Sequence, residues 1–85
     1  MKKVFFILFA LQISSAALAK KNCTNEPESK WMSQEKFKEL VEKQGYKIKK
    51  FKQPGSCYEI YGTNPQGKEV EIYFNPVNGE IVKSK

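Results

Sequence analysis

The chain has no histidine, no aspartate and no arginine. Each absence removes a class of chemistry. Without His or Asp there is no Ser-His-Asp or Cys-His relay to activate a nucleophile. Without His, and with Cys23 and Cys57 as its only cysteines, the chain cannot complete a zinc site of the usual ligands. Without Arg it has no planar fork for two-point recognition of phosphate. A glutamate-pair hydrolase remains formally open. The glutamates, however, fall on a helix surface and on alternating strand positions, where solvated charge is expected. No catalytic, cofactor-binding or metal-binding residue is therefore expected, and the chain reads as a non-enzyme.

Long apolar runs are also scarce. The one clear run, Val4 to Leu11, is far short of the ~20 residues that span a bilayer. Lys2 and Lys3 precede it, and Ala17-Leu18-Ala19 follows with small residues at the positions that signal peptidase reads. Residues 1–19 are expected to be a secretory signal peptide cleaved after Ala19, with no stable membrane insertion afterwards. The net charge of +6 then falls to +4 as Lys2 and Lys3 leave. All positive charge is lysine, a weak sign of nucleic-acid binding, and an exported chain seldom meets nucleic acid. The chain is expected to be periplasmic or secreted, from a bacterium.

The rest reads as an N-terminal arm, residues 20–32, and one small α+β domain, residues 33–85. A domain this small buries only about 60% of its unfolded surface and gains from a staple. Two cysteines in an exported chain read as a disulfide. Two free thiols, or a metal pair lacking further ligands, are the alternatives.

Ser33 is placed to cap the one helix, with Glu35 in the first turn and Met32 and Phe37 as a hydrophobic staple. Phe37, Leu40 and Val41 make its apolar stripe, and Gly45 ends it. The period then switches to two. Strands are expected at Tyr46 to Lys52, Cys57 to Thr63, Lys68 to Phe74 and Glu80 to Lys83, joined by turns rich in Pro, Gly and Asn. The helix packs on this three- to four-stranded antiparallel meander, and Trp31 closes one end of the core.

Parity sets the register. Turning Tyr58, Ile60, Val70, Ile72 and Phe74 inward places Ile60 opposite Ile72 and Tyr58 opposite Phe74. The outer face then pairs Tyr61 with Glu71 and Glu59 with Tyr73. Ile48 and Phe51 have opposite parity, which predicts a bulge near Lys49 and Lys50.

Five stretches stand out together: Cys23, Pro27 and Trp31 in the arm, Gly45-Tyr46-Lys47-Ile48, Gly55-Ser56-Cys57-Tyr58-Glu59-Ile60-Tyr61, Gly67-Lys68, and Val70-Glu71-Ile72-Tyr73-Phe74-Asn75-Pro76. In these the chain resembles the PepSY family of peptidase propeptides and YpeB-type domains. Asn75 stands where relatives often carry Asp. The resemblance implies an exported bacterial protein, a Cys23–Cys57 bridge, and a role in modulating or inhibiting a peptidase or another envelope protein.

Two surfaces are candidates for a protein partner. One is the outer sheet face with Tyr61, Tyr73, Glu59 and Glu71, an aromatic patch rimmed by charge. It is open unless the arm, drawn in by Cys57, crosses it. The other is the lysine strand with Lys47, Lys49, Lys50 and Lys52, which suits an anionic envelope component in an alternative reading as a sensor or ligand-binding protein. The plainer account of those lysines is a solubilising edge strand.

Overall fold

The computed structural model describes residues 21–85, so the expected signal peptide lies outside the described residues. A single 3-10 turn, Glu28–Lys30, leads into one helix, α1 (Gln34–Lys43). Four strands follow: β1 (Lys47–Lys52), β2 (Tyr58–Thr63), β3 (Glu69–Phe74) and β4 (Ile81–Ser84). They form one antiparallel sheet in the order β1-β2-β3-β4, so β1 and β4 are its edges.

The ends of α1 follow from their chemistry. The Ser33 hydroxyl accepts a hydrogen bond from the Lys36 N–H at 3.1 Å, satisfying one of the helix's free donors. At the other end Tyr46 N–H donates to the Val41 carbonyl and Gly45 N–H to that of Glu42. This pair of bonds is a Schellman motif, and it needs the positive φ of +103° that Gly45 adopts.

The helix buries Phe37 and Val41 against the inner face of the sheet, where Tyr58, Ile60, Ile72 and Phe74 complete the core. Phe37 is its centre. Its ring lies 4.9 Å from Tyr58 and 5.0 Å from Phe74, centroid to centroid. Trp31 closes one end as expected, edge-on to Tyr58 at 5.7 Å. The residue before the cap is tied on both sides. Met32 N–H donates to the Pro76 carbonyl at 2.8 Å, and its own carbonyl accepts from the Tyr58 hydroxyl at 2.7 Å. The final turn of the meander is thus bonded directly to the entry of the helix.

The strand register is the one parity requires. Ile60 faces Ile72, Tyr58 faces Phe74, Tyr61 faces Glu71 and Glu59 faces Tyr73. The irregularity in β1 falls between Ile48 and Lys50, so both Ile48 and Phe51 turn toward the core. This geometry imposes a demand on β2. A Cβ on Gly62 would collide with the Lys47 carbonyl oxygen, so the bulged strand approaches β2 only where β2 has no side chain.

Candidate interaction surface

The outer face of the sheet begins with Cys57, the residue before β2. It is bonded to Cys23 in a disulfide that joins residues 34 apart, with a Cα–Cα distance of 5.0 Å. The bridge is what holds the arm against the sheet, and hydrogen bonds around Ser56 reinforce it. The Ser56 hydroxyl accepts from Cys23 N–H at 2.9 Å, and Ser56 N–H donates to the Lys21 carbonyl at 3.1 Å. The backbone of Lys21 lies flat on Gly55, whose missing side chain and positive φ of +57° permit the approach.

From there the Lys21 ammonium reaches over the Tyr73 ring, 5.0 Å from its centroid. A second ammonium, from Lys85 beyond β4, stands 5.5 Å from the same centroid. A third, from Lys52 on β1, lies 5.4 Å from the centre of Tyr61. Cations over aromatic faces are attracted by the ring quadrupole. Here they also roof the face. Tyr73 is 6% exposed and Glu59 is 3% exposed.

Under this roof Glu59 and Glu71 are diagonal neighbours whose carboxyls shift each other's titration. Burial, then hydrogen bonding with Glu71, pushes Glu59 above the ordinary glutamate range. Hydrogen bonding with Glu59, then with the Tyr61 hydroxyl, holds Glu71 below it. Of the two, Glu71 is the first to lose its proton as pH rises. The Tyr73 hydroxyl donates to Glu71 Oε2 at 3.3 Å, and Lys85 Nζ approaches the same oxygen at 3.9 Å. The bond to Glu71 pushes the Tyr61 hydroxyl up to about 12, and burial leads the rise at Tyr73. One oxygen remains unserved: Glu59 Oε2 is buried and has no hydrogen-bond partner.

The four residues expected on this face are therefore brought together. The lysines are not all part of the group. Lys50 lies opposite Tyr61, whereas Lys47 pairs with Thr63 at the far end of β1. Lys49 occupies the bulge and makes a 3.2 Å ion pair with Glu69 in which both side chains are exposed. An exposed pair of this kind contributes roughly 0.2–1 kcal/mol at most. Of the roof lysines, Lys52 belongs to the lysine strand singled out in the sequence, whereas Lys21 and Lys85 carry no signal there that sets them apart. Lys52 and Lys85 follow from extending the register, while Lys21 follows only from the path of the arm. Among the described residues no group of three or more His, Cys, Asp or Glu is placed to hold a metal ion. None of the described helices is long and apolar enough to cross a membrane.

The other exposed surface with distinct character is the β4 edge. Among the described residues, Ile81 and Val82 are the large apolar side chains left in solvent, 52% and 51% exposed. Beside them the turn at Gly79 rests on Leu40 and Met32. Those two residues line a shallow groove of about 250 Å³ together with Lys36, Glu39 and Lys43.

Comparison with characterised proteins and with solved structures returns no significant match. Comparison with protein families does. The PepSY family model described as peptidase propeptide and YPEB domain matches residues 3–85. With that match running through the arm, the helix and all four strands, the chain belongs to the PepSY family.

Proposed function

We propose that the chain is an exported, non-catalytic binding module that modulates a peptidase or another envelope protein. The observation that carries this reading is the family match itself. It covers residues 3–85 and is to a family described as a peptidase propeptide domain. Two further features support it. The Cys23–Cys57 bridge suits an oxidising compartment. The carboxyl pair also suits a structural role better than hydrolysis. A glycosidase carboxyl must reach both substrate and water, whereas Glu59 is 3% exposed.

The test has two parts. N-terminal sequencing of exported protein is expected to begin at Lys20, and material beginning at Met1 counts against export. Purified protein is then added to the secreted and envelope peptidases of the host. A dose-dependent change in turnover, with a stable complex on capture, is expected. No change in any peptidase and no specific captured partner would overturn the reading.

A further inference from the structure

The two edges of the sheet are unlike. β1 carries Lys47, Lys49, Lys50 and Lys52, while its apolar side chains, Ile48 and Phe51, turn into the core. It offers a partner charge and no apolar contact. β4 is short, and it leaves Ile81 and Val82 in solvent. Lysine and brevity protect an edge from casual pairing, so an edge that also exposes apolar side chains asks for a partner of matched pattern.

Among the described residues nothing pairs with the far edge of β4. Glu71 and Lys85 exchange both of their main-chain hydrogen bonds, at 2.8 and 3.4 Å. In an antiparallel pair such residues alternate with pairs whose N–H and C=O groups point away from each other. Ser84, opposite Ile72, is the next residue along. Its N–H and C=O therefore face the open edge.

The side chains of β4 divide by face in the same way. Lys83 and Lys85 lie on the outer face, opposite Tyr73 and Glu71, while Ile81 and Ser84 lie on the inner face, opposite Phe74 and Ile72. A strand added beyond β4 would meet lysines on one face and apolar surface on the other. The apolar side would continue toward Leu40 and Met32, beside the Gly79 turn. Complementary cross-strand pairs then require acidic residues alternating with apolar ones. The chain already holds a strand of this kind against the inner edge of β4, since β3 begins Glu69-Val70-Glu71-Ile72.

We propose that the free edge of β4 is a docking site for an extended segment of a partner protein in which glutamate or aspartate alternates with branched apolar residues. This rests on the reading of the chain as a binding module and names the chemistry that module recognises. Main-chain bonds at Ser84 hold the segment, Lys83 selects its acidic side, and Ile81 selects its apolar side.

The probe is the peptide acetyl-EVEIEV-amide, titrated into the oxidised, 15N-labelled protein. Amide shifts and slowed hydrogen exchange centred on β4 are expected, Ser84 above all. The charge-reversed acetyl-KVKIKV-amide is expected to bind at least about tenfold more weakly. Ser84→Pro removes a donor that β3 does not use, so the fold is expected to stay intact while peptide affinity falls by about tenfold or more. Shifts confined to β1 or α1, equal binding of the two peptides, or no response at millimolar peptide would each overturn the proposal. Peptidase modulation separates it from the broader reading. A Ser84→Pro variant that still modulates fully overturns the edge site alone. A protein that binds the peptide but affects no peptidase overturns the proposed function alone.

Discussion

Glu59 and Glu71 are diagonal neighbours on β2 and β3, and on the outer face of the sheet their titrations are driven in opposite directions. Burial and the neighbouring carboxyl raise Glu59 above the ordinary glutamate range, while Glu59 Oε2 finds no donor. Two like groups in contact cannot both ionise cheaply, so the pair splits into an acid and a base.

The split fixes a pH dependence. Glu71 titrates below the ordinary glutamate value of 4.5 in the folded state. Its contribution is present above the unfolded pKa and is lost as pH falls through the folded one. Glu59 titrates above 4.5 when folded. Its protonated form favours the fold below the unfolded pKa, and that advantage is lost as pH rises through the folded value. The contribution of the pair is therefore expected to peak near the ordinary glutamate pKa. Urea midpoints measured across acid to neutral pH check this. A monotonic rise to neutrality, once corrected against Glu59→Gln, would contradict it.

Glu59→Gln is expected to raise stability at neutral pH by about 1 kcal/mol, because it supplies a permanent donor to Glu71 and removes the cost of ionising a buried carboxyl. The gain should shrink as pH falls toward the range where wild-type Glu59 is protonated. Parallel denaturation of the two proteins at neutral and acid pH measures it. An equal effect at both would mean that the carboxyl proton is not involved.

The roof over this pair depends on the arm, and the arm depends on the disulfide. Removing the bridge with Cys23→Ser and Cys57→Ser is expected to cost about 3–4 kcal/mol on the chain-entropy account for a loop of 34 residues. It should also lift Lys21 away from Tyr73. Denaturation gives the first effect. The second is read as faster exchange at the Ser56 amide, which donates to the Lys21 carbonyl. Loss of stability with unchanged exchange there would mean that the arm holds its place without the bridge.

Much of the scaffold was legible because it rests on local rules. The parity of Tyr58, Ile60, Ile72 and Phe74 fixed which strand positions face each other, since a one-residue slip would expose all four. The mismatch between Ile48 and Phe51 required a bulge, and the irregularity lies there. Ser33 and Gly45 marked the helix by capping chemistry. The surface was only partly legible. The four members of the outer-face group follow from the register, but the burial of Glu59 and Tyr73 does not. That depends on where Lys21 and Lys85 come to rest, one placed by a disulfide distant in sequence and the other by the far edge of the sheet. The opposite shifts of Glu59 and Glu71 are likewise a product of the diagonal approach and the roof together. In sequence the two look like ordinary strand glutamates.

Gly62 shows the same limit and yields the last prediction. In sequence it is a glycine inside a strand, which signals a bulge or a close approach without saying which neighbour comes near. In the fold the answer is Lys47, whose carbonyl oxygen occupies the space a Cβ would need. The obstacle is backbone, which cannot swing aside as a side chain could. Gly62→Ala is therefore expected to cost roughly 2–4 kcal/mol, a large value for adding one methyl group. Gly67 supplies the control. Its φ is +83°, but a Cβ there would have nothing within 4 Å. Gly67→Ala should cost only the left-handed backbone penalty, about 1–2 kcal/mol. Thermal denaturation of the two variants decides between a packing and a conformational role for Gly62. If Gly62→Ala proves no worse than Gly67→Ala, the close approach of the bulged β1 is not what requires glycine there.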